Sequence, residues 1–189
     1  MSSLPLLFDA TKYFGIGSNE RPDFATAGQL LEHLDRLGIA RALCWHVISR
    51  DQAPMRGNRM LLSEIAATPG AKGRLIPAFT IGPAMQYEPG AIEELKEAMA
   101  EHGVRAVRVF RSRWSLLQIE PMIRTLHGQR PVVFVDAREG MNAREFLDFG
   151  EALPTVPLVI LHTMWGDHIA LLDLMRRCRN IYADTSWMP

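Results

Sequence analysis

The feature that most constrains this chain is a strict alternation, in which short apolar runs trade places with longer segments of helical period along its whole length. Residues 4–9 form the first apolar run. A polar, glycine-bearing loop from Gly15 to Asp23 leads to Thr26, whose hydroxyl suits an N-cap. Leu30, Leu31, Leu34 and Leu37 then recur at helical spacing until Gly38, a residue that readily takes the left-handed conformation ending a helix. The same reading predicts strands over 41–47, 74–80, 104–110, 131–136, 157–162 and 180–184. Helices are expected over 58–67, 90–101, 116–126, 142–153 and 168–177.

Strands in regular alternation with helices imply parallel pairing, because each crossover helix returns the chain to the same end of the sheet. The runs from Val132 to Val135 and from Leu158 to Leu161 are continuously apolar, as in strands covered on both faces. No strand leads into a Gly-x-Gly-x-x-Gly turn, which argues against a dinucleotide-binding sheet. Every expected strand closes on a polar residue: Asp9, His46, Thr80, Arg108 with Arg111, Asp136, His162, and Asp184 with Ser186. In a parallel barrel those ends converge on one mouth, where barrel enzymes place their chemistry. The expected fold is therefore α/β, a TIM-type barrel incomplete at its C-terminus, with about seven strands of the usual eight. It is expected to form a single domain over residues 1–189. An eight-stranded barrel usually takes ~250 residues. The expectation is a C-terminally shortened copy; the alternative is a short form whose open edge another subunit covers, as in a homo-oligomer.

Composition narrows the partners. The 21 Lys and Arg balance the 21 Asp and Glu, so no net field draws nucleic acid or an anionic membrane. No apolar stretch approaches the ~18–20 residues needed to span a bilayer. The N-terminus lacks a basic region before its short apolar run, so a cytoplasmic location is expected. Cys44 and Cys178 belong to no C-x-x-C pair and read as reduced thiols near the core. A small molecule is the expected ligand.

Several stretches carry a resemblance. The opening Leu7-Phe8-Asp9-Ala10-Thr11-Lys12-Tyr13-Phe14-Gly15, the Gly57-Asn58-Arg59 before a helix, and Arg74-Leu75-Ile76-Pro77-Ala78-Phe79 follow in a particular order. Gly103-Val104-Arg105-Ala106-Val107-Arg108, Leu158-Val159-Ile160-Leu161-His162 and Tyr182-Ala183-Asp184-Thr185-Ser186 continue it. In order and spacing they resemble the amidohydrolase-related branch of the amidohydrolase superfamily, which includes metal-dependent hydrolases and decarboxylases. The resemblance implies a His-x-His pair on the first strand, histidines on strands five and six, and an aspartate on strand eight as ligands of a divalent metal. Aligning Gly15 places Thr11 and Tyr13 where the pair belongs. Asp136 stands where the strand-five histidine is expected, and His162 keeps the sixth-strand position. Hydroxyls of Thr and Tyr are not readily ionised near neutral pH and are poor ligands for a catalytic zinc. The usual metal site thus reads as degenerate, and no cofactor is expected. Zinc or manganese held by a non-standard set, such as Asp9, His46, Asp136, His162 and Asp184, is the alternative.

The candidate catalytic residues are His162 and Asp136 for proton transfer and Lys12 as a stand-in for metal charge. The candidate substrate-binding residues are Arg108, Arg111, His46, Asp9 and Asp184. Arginines near a barrel mouth suit carboxylate or phosphate ligands; a structural ion pair with Asp136, Glu139 or Asp184 is the competing role. His33, His102, His127 and His168 fall on predicted helices or their ends and read as solvated. The function expected is an amidohydrolase-like hydrolase or carbon–carbon lyase acting on a small anionic substrate. A non-catalytic homologue with a binding or subunit-interaction role is the alternative.

Overall fold

The computed structural model describes residues 7–18, 22–110, 114–137, 142–163 and 165–184. The chain forms two compact units, Met1–Thr80 and Ile81–Pro189. Each is a parallel α/β arrangement.

In the first unit, strand β1 (Leu7–Phe14) pairs with β2 (Ile39–His46), which pairs with β3 (Leu75–Ile81), both in parallel. Helix α1 (Ala27–Leu37) connects β1 to β2, and α2 (Ile48–Asp51) and α3 (Pro54–Ala67) lead on to β3. The predicted caps of α1 are in place: the Thr26 hydroxyl accepts from the Gln29 N–H, and Gly38 is left-handed at φ 66°. Leu30 and Leu34 are fully buried, and each such side chain contributes about 1.5–3 kcal/mol by leaving water.

Strand β1 runs to Phe14, beyond the expected limit at Asp9. Pairing with β2 carries it on, with Lys12 opposite Cys44 and Tyr13 opposite Trp45, and an irregularity between Asp9 and Lys12 absorbs the change of register. Helix α3 starts four residues before the expected Asn58 because Pro54 occupies its first turn, where a missing N–H costs nothing. The four-residue α2 was not expected. It packs tightly on α3: a Cβ at Gly57 would lie 2.2 Å from the Ser49 nitrogen, so only glycine fits.

The second unit holds α4 (Ala91–His102), β4 (Ala106–Val109), α5 (Glu120–Thr125), β5 (Val132–Asp136), α6 (Ala143–Ala152), β6 (Leu158–Leu161), α7 (His168–Arg177) and β7 (Ile181–Ala183). Strands β4 to β7 pair in sequence order, all parallel. The helix expected over 116–126 divides into a 3-10 turn, Leu116–Ile119, and the short α5. Pro121 cannot supply an amide hydrogen, so the segment opens on a tighter turn under a Ser115–Gln118 capping box.

Register and pleat sort this sheet into two faces. Val107, Val109, Val133, Val135, Leu158, Ile160 and Ile181 share one face and are buried. Helix α6 packs there, with Gly150 placed so that a Cβ would meet Ile181 Cδ1 at 3.0 Å. The opposite face carries Arg108, Phe134, Asp136, Val159, Leu161 and Tyr182, and Tyr182 is half exposed. Asn180, just before β7, donates through its side-chain amide to the carbonyls of Gly150, Leu153 and Val156 at 2.9–3.1 Å, fastening the end of α6 and the loop behind it.

Candidate active site

Parallel pairing places Arg108 of β4 opposite Phe134 of β5, so Asp136, two residues further on, lies on the same face and nearer the strand end. The Arg108 guanidinium therefore reaches forward to the carboxylate: Nη2 donates to Asp136 Oδ2 at 3.3 Å. The two side chains are 2% and 4% exposed. The guanidinium carbon also lies 5.0 Å from the centre of the Phe110 ring, a cation–π distance. Of the two roles considered for Arg108, the structural ion pair is present.

His162 follows β6 directly. Its Nδ1 lies 3.1 Å from the same Asp136 oxygen, while the side chain keeps 13% of its surface exposed. The approach is one of proximity, because the ring nitrogen does not meet hydrogen-bond geometry with any described group. His162 is left-handed, at φ 54°. For a residue with a Cβ, that conformation costs roughly 1–2 kcal/mol. The next residue is fully buried: the Thr163 hydroxyl donates to the Asp184 carbonyl at 2.9 Å, and the Asp184 N–H donates to Ile160. The ends of β6 and β7 are thereby tied together behind His162, which holds the strained turn.

The remaining sequence candidates have other surroundings. Lys12 Nζ pairs with Asp9 Oδ2 at 3.2 Å, and Asp9 Oδ1 accepts from the Thr11 N–H and hydroxyl. Lys12 thus brings its own carboxylate partner. Arg111 lies outside the described residues, as do Ser186, Glu139 and the other residues of those segments.

His46 is not presented on an open strand end. It is 1% exposed and turned toward α3. Its Nε2 lies 3.2 Å from Glu64 Oε1, and its Nδ1 accepts from the Ile48 N–H at 3.2 Å. That pattern assigns the ring proton to Nε2, which donates to Glu64. Burial pushes the His46 pKa below its ordinary value, and the Glu64 carboxylate partly offsets this. Gly15, at φ 107°, lies against the ring, and a Cβ there would meet Nε2 at 2.5 Å. The ring is a structural post for β1, α2 and α3, so the substrate-contact role read from sequence has no free ring nitrogen to serve it.

Glu64, Phe110 and Thr163 complete these arrangements, and sequence reasoning did not single them out. Glu64 sits 18 positions from His46 on a helix, and no spacing rule links the two.

The divalent ion that the sequence resemblance implies needs several converging ligands. Among the described residues no three His, Cys, Asp or Glu side chains converge. The carboxylate beside His162 already faces the Arg108 guanidinium, whose charge disfavours a second cation. The described residues do not fit that ion.

These observations define a parallel α/β protein with an Arg–Asp–His cluster beside neighbouring strand ends. No family model matches the chain, and no curated protein matches it. Among solved structures, it is similar to a probable 2-pyrone-4,6-dicarboxylic acid hydrolase from Acinetobacter baumannii, crystallised with citric acid bound. The likeness has a TM-score of 0.55 at 15% identity, covers 82% of this chain, and shows that the two folds are alike. The chain spans 58% of that protein's length. A weaker likeness, at TM-score 0.48 and 14% identity, is to a phosphodiesterase in complex with c-di-GMP; it covers 86% of this chain and 73% of that one. No helix among the described residues is long and apolar enough to cross a membrane.

Proposed function

We propose that this chain is an amidohydrolase-like hydrolase, or carbon–carbon lyase, of a small carboxylate-bearing substrate, built on an incomplete barrel with a degenerate metal site. The observation that carries the reading is the cluster at the ends of β4, β5 and β6, where a buried arginine and a partly exposed histidine meet one carboxylate. In it His162 is the proton carrier, because one edge of its ring stays open while the other faces Asp136. Asp136 faces that ring and sets its orientation, as a carboxylate behind a catalytic histidine does. Arg108 donates to Asp136 and adds positive field for an anionic group. Arg111 and Asp184 contribute to substrate contact, and Lys12 with Asp9 forms a separate polar pair.

The probable hydrolase of a pyrone dicarboxylic acid to which the chain is similar supports a dicarboxylate substrate class, and the citric acid in that structure fits a site for carboxylates. A second reading, a non-catalytic homologue that binds carboxylates, is favoured by the poor metal-ligand set. Hydrolysis of 2-pyrone-4,6-dicarboxylate, followed by loss of pyrone absorbance with and without added zinc or manganese, tests the first. Turnover should fall by about 10²–10⁴ in His162→Asn. Citrate binding without turnover would transfer the case to the second reading; neither binding nor turnover would remove both.

A further inference from the structure

The second unit has a cavity at the other end of the same strands. Its walls come from the residues just before β4, β5 and β6: Arg105, Arg130 and Pro131, and Thr155 to Pro157, with His127 closing one side. The cavity holds about 300 Å³, within the size range of small-ligand sites. An adjoining recess of about 280 Å³ shares His127 and Thr155 with it.

Two independent features set this place apart. First, its charge is one-sided. No carboxylate lines the cavity, and among the described residues none pairs with Arg105, Arg130 or His127. The Arg105 Nε donates to the Arg130 carbonyl at 3.3 Å, which holds the two arginine segments together. The two exposed guanidiniums stand together without a carboxylate between them, a surface that draws an anion. Secondly, Arg130 is left-handed, at φ 50° and ψ 58°. Glycine or asparagine takes such a position without strain. A long cationic side chain kept there at a cost marks a use for that side chain.

The frame is also rigid. The Val132 N–H donates to Arg105 and the Val133 N–H to Pro157, and Asn180 fixes the carbonyls of Leu153 and Val156 on either side of Thr155. A ligand entering the cavity meets a backbone already in place, so the ordering cost of binding falls on the exposed arginine side chains.

We infer that Arg105, Arg130 and His127 form a second site, separate from the Arg108–Asp136–His162 cluster, that takes a small multivalent oxyanion carrying phosphate or carboxylate groups. Arginine forks match both groups through paired N–H contacts. Arg105 immediately precedes β4, which carries Arg108 three residues further on, about 10 Å away, so occupancy at one end bears on the strand that carries the other.

Isothermal titration of the full chain with inorganic pyrophosphate and, in a parallel arm, with citrate tests this at low and physiological salt. One equivalent of pyrophosphate should bind, more weakly as salt rises; in the citrate arm only the binding lost in Arg130→Gly and kept in His162→Asn belongs to this site, and the tighter of the two assigns the ligand to phosphate or carboxylate compounds. Arg130→Gly and Arg105→Gln should each weaken binding at least tenfold, while Arg130→Gly raises the anion-free thermal midpoint by relieving the backbone. His162→Asn should bind as the parent does. Retained affinity in both arginine variants, loss of it in His162→Asn, or no binding at millimolar anion would overturn the inference.

Discussion

His46 and His162 make an instructive pair. Each closes a run of apolar residues in a parallel strand, and each has a carboxylate oxygen about 3 Å from a ring nitrogen. Their circumstances are otherwise opposite. His46 commits both nitrogens, one to Glu64 and one to a backbone amide, and is sealed from solvent. His162 keeps an open edge, sits in strained backbone, and shares its carboxylate with a buried arginine. Position at a strand end brings a side chain to the rim of a sheet; which layer it then enters depends on register and on the first turn beyond the strand. The first histidine is bound into the scaffold, and the second is held against it.

The comparison breaks most readily at the carboxylates. Asp136→Ala leaves the Arg108 guanidinium buried without its partner and should lower the unfolding free energy by about 3–5 kcal/mol, read from urea denaturation. Replacing both Arg108 and Asp136 by leucine should restore most of it. Glu64→Gln, at a carboxylate 32% exposed, still offers an oxygen to His46 and should lose less than about 1 kcal/mol. Equal losses at the two carboxylates would erase the distinction drawn here.

Acid sharpens the contrast next. The folded-state pKa of His46 lies below the ordinary value near 6.5, so the unfolded chain takes up this proton more readily than the folded one. The stability contributed by neutral His46 is therefore complete above pH 6.5 and declines as the pH falls below it. His46→Ala should cost about 2–3 kcal/mol at pH 8 through lost packing and hydrogen bonds. It should also flatten the decline between pH 6.5 and 5, measured as urea midpoints. A parent protein with no loss of stability across that interval would contradict the assignment.

The smallest effect has the opposite sign. His162→Gly removes the left-handed penalty and should raise stability by up to about 1 kcal/mol in the same denaturation experiment. The same change at His46 should lower it. A destabilised His162→Gly protein would mean that the ring supports the fold rather than being restrained by it.

These particulars show what the order of residues displays and what it conceals. Thr26 and Gly38 announce both ends of α1, because capping depends on a hydroxyl and a left-handed residue that are local properties. The runs before Asp136 and His162 are legible as buried strands for the same reason. The extension of β1 through Thr11, Lys12 and Tyr13 is hidden, since pairing with β2 overrides a weak apolar pattern. The placing of Arg108 beside Asp136 follows from a register that only the folded sheet defines. The turning of His46 toward Glu64 is likewise a tertiary event, with no trace in spacing.

The amide of Asn180 has a bearing on how long the molecule lasts. It shares its two hydrogens among the carbonyl oxygens of Gly150, Leu153 and Val156 at the corner between α6 and β7, and asparagine is among the less durable side chains in warm solution. Deamidation there would set a carboxylate against three lone-pair-bearing oxygens with no hydrogen to share. One slow chemical lesion, far from any reacting group, would turn a clasp into a wedge, and the loop from Leu153 to Val156 would be the first part of this unit to age.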